Sequence, residues 1–365
     1  MTTNVLLSLD KLAHPHTGMG QFSLNLARAL TELGDDSLAY TFLVPRDARP
    51  LLEGHAGVTL ETITALDKEK VMRWTRRLGP LTPVQRSRVD VWHALAQDAK
   101  YLPVDRNTPV LLTIHDLNYL RDTEGRELDH RLGVVQSRIE RADVIATDSQ
   151  FTADEVRQHL AVGDRPIHVI HIGLPDTDAL QSVKPAGVEE VPFLFAIGDV
   201  VPRKNVHVLP PMMELLPDLQ LLIAGRHDTE YAADILRAVD AHGLADRVRF
   251  LGQVTDAERL WLYRNADGVV VPSLTEGFGL PVIEGMAQGR PVFMSNVTSL
   301  PEVGGELGHY WDSYEPESMA LVVREGLAQW RADPALAERA REHASRFTWR
   351  RAAEAYAGLY RSMIS

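Results

Sequence analysis

Two α/β domains, each a doubly wound parallel sheet, are what this sequence predicts, and three observations predict them. The chain has 365 residues, beyond the size at which a single hydrophobic core stops growing. Short β-rich runs alternate with helix-length patterns through both halves of the chain, the order that builds parallel sheets covered by helices. Between the halves, residues 173 to 192 (GLPDTDALQSVKPAGVEEVP) contain three prolines and two glycines with little periodicity, which suits an interdomain linker.

The first-half runs are NVLLSL (4 to 9), LAYTFLV (38 to 44), VDVWHAL (89 to 95), PVLLTIH (109 to 115), DVIATDS (143 to 149) and IHVIHI (167 to 172). The second-half runs are PFLFAIG (192 to 198), LQLLIAG (219 to 225), RVRFLG (247 to 252), DGVVVPS (267 to 273) and RPVFMS (290 to 295). The expected domains are residues 1 to 175 and 185 to 345, two Rossmann-like units facing a central cleft. In open parallel sheets ligands bind beyond the carboxyl ends of the strands, so the residues after each run are where chemistry is expected.

Composition removes several classes of function. A formal net charge of −12 argues against a protein whose main partner is the phosphate backbone of a nucleic acid, so any bound anion needs a local site. The absence of cysteine excludes disulfides, thiolate catalysis and Cys-ligated metals. The N-terminus lacks a basic leader, and its apolar run is too short for a signal segment or a membrane span, so a cytoplasmic location is expected. No repeat or low-complexity tract occurs, and nothing in the sequence sets the oligomeric state.

Residues 273 to 292, SLTEGFGLPVIEGMAQGRPV, follow an apolar strand and open a helix. Gly277 and Gly279 permit close backbone approach and Pro281 suits the first helical position, so amides should face a ligand: an anion cradle. Glu276 on the loop and Glu284, expected in the first helical turn, are spaced to straddle a ligand; a carboxylate accepts hydrogen bonds from vicinal hydroxyls. A glycine loop with an acidic first turn favoured by the helix dipole gives the same pattern.

Arg203 and Lys204, in GDVVPRKNVHVL, combine a planar fork with a mobile point charge, which suits a leaving diphosphate; a solvated basic pair is the plain alternative. Gly18 and Gly20 end the loop HPHTGMG before an amphipathic helix, a near miss to the dinucleotide fingerprint because Ser23 replaces the third small residue and the loop is too long. His115 follows an apolar strand in LLTIHDLNYL, where a lone histidine is either a satisfied polar residue or a catalytic one. His14 and His16, or His93, His115 and Asp116, give no metal-ligand spacing, and no essential metal is expected.

The E-G-F-G-L-P-x-x-E pattern at residues 276 to 284, with a small-residue helix and G-x-P-V behind it, closely resembles the retaining glycosyltransferases of the GT-B fold, family 4 (group 1) type. That group includes sucrose synthase and bacterial O-antigen and capsule mannosyltransferases. The likeness extends over LLIAG (221 to 225), RVRFLGQV (247 to 254) and the WLYRNAD segment, whose tyrosine is Tyr263.

The resemblance implies that Glu284 binds the donor ribose and Glu276 the transferred sugar. It places the amides of Gly277, Phe278, Gly279 and Leu280 on sugar and phosphate, with Gly252 and Val254 flanking the base. Arg203 and Lys204 would then hold the diphosphate, Gly18 and Gly20 would touch the donor phosphates, and His115 would bond the hexose. It also implies that residues 348 to 365 form a helix packed back on the first domain.

GDP-mannose is the first expected donor and UDP-glucose or another UDP-hexose the second, with no cofactor. The expected acceptor is a saccharide or lipid-linked saccharide in cell-surface polysaccharide synthesis. Rivals are a sugar-nucleotide epimerase of the same fold, a nonenzymatic sugar-nucleotide-binding protein, and a nicotinamide-dependent oxidoreductase, which the missing third glycine disfavours.

Residues 68 to 88 run against the chain's acidity, with seven basic residues and one acidic. Arg73, Trp74, Arg76 and Arg77 there could contact an anionic membrane surface or a phosphate-bearing acceptor, or simply form a solvated face.

Overall fold

The computed structural model describes residues 2–54, 57–63, 89–103, 105–177 and 180–364. Arg73, Trp74, Arg76 and Arg77 lie outside the described residues. By backbone contacts the chain divides into Met1–Pro175 with Thr348–Ser365, and Asp176–Phe347. The second unit thus takes up residues 176–184, which the sequence reading left to a linker: the Val183 amide donates to the Ala257 carbonyl at 3.0 Å, inside that unit.

The first unit holds β1 (Thr3–Ser8), β2 (Leu38–Val44), β3 (Val58–Thr62), β4 (Val91–Ala94), β5 (Val110–Ile114), β6 (Val144–Thr147) and β7 (Ile167–Val169). They form one sheet in the order β3-β2-β1-β4-β5-β6-β7, with every pairing parallel. Central strands such as β5, VLLTI, are buried at every residue, which is why they read as apolar runs rather than alternating ones. The edge strand β3, VTLET, is half polar and partly exposed, so it escaped that pattern.

The second unit holds β8 (Phe193–Ile197), β9 (Gln220–Ala224), β10 (Val248–Gly252), β11 (Gly268–Val271), β12 (Val292–Ser295) and β13 (His309–Trp311). Their order is β10-β9-β8-β11-β12-β13, again parallel throughout. β13, another edge strand, is too short at three residues for a periodicity to show. Strand order reverses between β1 and β4 in one sheet and between β8 and β11 in the other. At such switch points adjacent connections leave on opposite faces and open a crevice at the carboxyl ends.

The last helix, Trp349–Ser362, belongs to the first unit and buries Ala352, Ala353, Tyr356, Ala357 and Tyr360, one stripe at helical spacing. Thr348 caps it by accepting from the Arg351 amide at 3.2 Å. Its tyrosines reach into the sheet: Tyr360 hydrogen-bonds His93 Nδ1 at 2.8 Å, and Tyr356 hydrogen-bonds Thr113 at 3.2 Å. Thr113 also bonds His93 Nε2 at 2.8 Å. Burial first, and the neighbouring His115 second, push the His93 imidazole down to about 3, so it is neutral and both ring nitrogens are used structurally. This accounts for His93 without a metal.

Candidate active site

In the second unit the switch point falls between the loops after β8 and β11, which carry the basic pair and the first glutamate. After β8 the chain forms a tight turn, Pro202–Lys204, and the Leu274 amide donates to the Arg203 carbonyl at 2.8 Å, tying the two loops together. Lys204 Nζ donates to Glu276 Oε1 in an ion pair, and Ser273 Oγ donates to the same oxygen at 2.8 Å. Glu276 is 8% exposed. Burial alone would raise its pKa, but Lys204, the Ser273 hydroxyl and the charge of Arg203 outweigh that and hold it below the ordinary carboxylate value.

The helix Leu280–Ala287 begins one residue earlier than expected, with Gly279 as its cap and Pro281 at its second position. Gly279 has φ 100°, a backbone conformation that favours glycine, and a Cβ there would crowd Leu300 Cδ2 at 2.8 Å. Glu284 is consequently the fifth helical residue, in the second turn rather than the first, and the dipole does not account for it. Its Oε2 accepts from the Tyr263 hydroxyl at 2.7 Å, and Oε1 lies 3.4 Å from Arg259. Burial and then the Glu284 charge push the Tyr263 hydroxyl well above its ordinary value, so it remains a donor. Gly252, with φ 72°, stands at an irregularity in the β10–β9 register, and Val254 follows it half-buried.

In the first unit His115 directly follows β5 and is 7% exposed. Its Nδ1 is 2.6 Å from Asp148 Oδ2, its Nε2 is 2.8 Å from the Leu95 carbonyl, and Phe22 meets the ring edge-on at 4.5 Å. Both partners are acceptors, so both nitrogens donate. Burial favours the neutral ring, but the Asp148 charge and hydrogen bond together with the Leu95 carbonyl prevail and raise the pKa. The side chain thereby ties the ends of β4, β5 and β6 together.

The two loop glycines also separate. Gly18 is the first helical residue and a Cβ there would meet nothing within 4 Å. Gly20 is buried, its amide donates to Thr17 Oγ1 at 3.2 Å as part of the cap, and a Cβ would lie 2.3 Å from the His14 carbonyl oxygen. Close packing against the His14 carbonyl thus leaves no room for a side chain at Gly20. The loop before it is ordered by a 3-10 turn, Asp10–Ala13.

Arg259, Thr298 and Asp148, none of which carried a motif, complete these sites with Ser273. The strand-end rule pointed at three of the four: Asp148 follows β6, Ser273 lies just beyond β11, and Thr298 just beyond β12. Among the described residues no three His, Asp or Glu side chains gather as a metal-binding group. No described helix is long and apolar enough to cross a membrane.

The model of the family "Glycosyl transferases group 1" matches residues 179–346, and that of "Glycosyltransferase Family 4" matches residues 16–177. The chain belongs to the group 1, family 4 glycosyltransferases. This glycosyltransferase is 28% identical to the O-antigen chain mannosyltransferase RfbU of Salmonella typhimurium over 313 residues, covering 82% of this chain and 84% of that one. It is 26% identical to the D-inositol 3-phosphate glycosyltransferase of Corynebacterium diphtheriae over 383 residues, 94% of this chain and 89% of that one. Anabaena Alr3699/HepE, solved in complex with UDP and glucose, has a TM-score of 0.75 at 19% identity, covering 99% of this chain and 100% of that one. The fold is that of the GT-B glycosyltransferases.

The raised His115 pKa has a signed consequence. A histidine whose folded value exceeds its unfolded one stabilises fully below the unfolded value, and that contribution is lost as pH rises through the folded value. Asp148→Asn removes the charge that holds the proton, so the His115 midpoint, followed by NMR of labelled histidine, is expected to fall and this stabilisation to shrink. Equal midpoints in both proteins would show that Asp148 does not set the charge.

Proposed function

We propose that this glycosyltransferase moves a hexose, with retention of anomeric configuration, from a nucleoside diphosphate sugar to a saccharide or lipid-linked saccharide in cell-surface polysaccharide synthesis. GDP-mannose is the first donor candidate. The observation that carries the reading is the buried Lys204–Glu276 pair at the β8/β11 switch point, next to Arg203 and the start of helix Leu280–Ala287. A sugar diphosphate needs a cation for its phosphates and a fixed carboxylate for its hydroxyls in adjoining positions, and this pair supplies both. Glu284, one helical turn deeper, takes the ribose.

In the reaction the bond from the anomeric carbon to the diphosphate breaks, and the acceptor oxygen bonds to that carbon on the same face. The acceptor proton passes to the leaving phosphate oxygen. Negative charge grows on the diphosphate, where Arg203, Lys204 and the helix amides stabilise it. We propose that these groups serve in place of a metal. The similarity to RfbU supports mannose; a UDP-hexose donor is the second reading, supported by the fold shared with HepE. The basic residues Arg73, Arg76 and Arg77, with the apolar Trp74 among them, support contact with an anionic membrane surface, on the cytoplasmic side.

Thermal unfolding with GDP-mannose, UDP-glucose, UDP-GlcNAc, UDP-galactose, GDP, UDP and NAD, all with EDTA, tests the donor reading. A ligand at about 100 times its Kd stabilises by roughly 2.7 kcal/mol. One nucleotide family is expected to shift wild type and not Glu284→Ala, each read against its own ligand-free transition. A shift with NAD alone, or with nothing, would overturn the reading. For the membrane contact, co-sedimentation with anionic liposomes should weaken when Arg73, Arg76 and Arg77 are neutralised together; an unchanged signal rules it out.

A further inference from the structure

Among the described residues only two that are not glycine have positive φ, Asn205 and Thr298, both at 56°. Both stand at the Lys204–Glu276 pair. Asn205 directly follows Lys204, and Thr298 Oγ1 accepts a hydrogen bond from the Glu276 amide at 3.2 Å. The left-handed region suits glycine and tolerates asparagine, but a β-branched residue there is an outlier. What threonine brings that glycine would not is a hydroxyl, and that hydroxyl is on Glu276.

The next residue continues the grip. Ser299 is fully buried, and its Oγ is 3.0 Å from the carbonyl oxygens of both Glu276 and Phe278, sharing one proton between them. The main chain of Glu276 is thus fixed at its N–H by Thr298 and at its C=O by Ser299, while its carboxylate is fixed by Ser273 and Lys204. Should Lys204 turn to a diphosphate, the backbone grip stays. Local strain that persists beside a binding group is what pre-organisation requires.

We propose that Thr298 and Ser299 are positioning residues, a two-hydroxyl clamp that holds the Glu276 loop where its carboxylate meets the transferred sugar. The clamp rests on the function proposed above, so its test includes a readout that does not depend on that function.

Thr298→Gly keeps the backbone conformation and removes the hydroxyl; Thr298→Ser keeps the hydroxyl. Hydrogen–deuterium exchange of the Glu276 amide in the ligand-free chain is expected to quicken roughly tenfold in Thr298→Gly and to stay near wild type in Thr298→Ser. The Thr298→Gly melting temperature should be no lower than wild type. Its preference for the sugar nucleotide over the bare nucleoside diphosphate, read as a Kd ratio, should fall by about tenfold, with diphosphate affinity held within about threefold. Unchanged exchange in Thr298→Gly, an equal defect in Thr298→Ser, or a fall in stability with no change in the Kd ratio would each overturn the clamp. If wild type binds no sugar nucleotide the proposed function fails on its own, and the exchange comparison still decides whether the clamp holds Glu276.

Discussion

The ion pair between Lys204 and Glu276 joins the loops after β8 and β11, and the candidate site of the second unit depends on it. Burying two charges costs several kcal/mol per ion, and their attraction seldom returns more than a well-packed apolar pair would. Stability therefore gives little reason for the pair. It stands where the sheet order brings β8 and β11 side by side, where the Leu274 amide ties one loop to the other, and where Ser273 completes the carboxylate. On the proposed function, a lysine already desolvated and aimed by a carboxylate would let an incoming diphosphate exchange one anion for another instead of stripping a free ammonium of water.

The first unit follows the same rule with a different outcome. Its switch point lies between β1 and β4, and the nearby histidines are held by buried local partners, His115 by Asp148 and the Leu95 carbonyl, His93 by Tyr360 and Thr113. His93 is neutral between two hydroxyls, and a carboxylate and a carbonyl raise the pKa of His115. The helix Trp349–Ser362 contributes Tyr356 and Tyr360 to that network, so the first unit is complete only with the end of the chain in place. Its polar interior sets geometry and charge, whereas the second unit presents groups that can change partners.

Strands buried on both faces were legible because they read as continuous apolar runs, and the motif loops were legible because they sit at the ends of those runs. β3 and β13 were not, being edge strands, one half polar and one of three residues. The positions of Glu276, Arg203 and Lys204 followed from sequence. Their pairing did not, because Lys204 and Glu276 are 72 residues apart and only the strand order brings them together. Glu284 fell in the second helical turn rather than the first because the helix begins at Leu280, one residue before Pro281. His115 was legible as a strand-end histidine, but its two acceptors, Leu95 and Asp148, come from neighbouring strand ends and carry no local signal. Thr298 was reachable only by its place just beyond β12, because a positive φ at threonine leaves no pattern.

On the proposed function, Glu276 holds Lys204 for the diphosphate and then holds the sugar itself. Calorimetric titration of Lys204→Met and Glu276→Gln with GDP and GDP-mannose, and with UDP and UDP-glucose, is the decisive measurement. Lys204→Met is expected to weaken nucleoside diphosphate and sugar nucleotide together, by about tenfold or more, as loss of a charged hydrogen bond requires. Glu276→Gln should bind the bare diphosphate at least as tightly as wild type, because Lys204 is released, and should lose its preference for the sugar nucleotide. A Glu276→Gln protein that still prefers the sugar nucleotide, or a Lys204→Met protein that binds the diphosphate as wild type does, would contradict it.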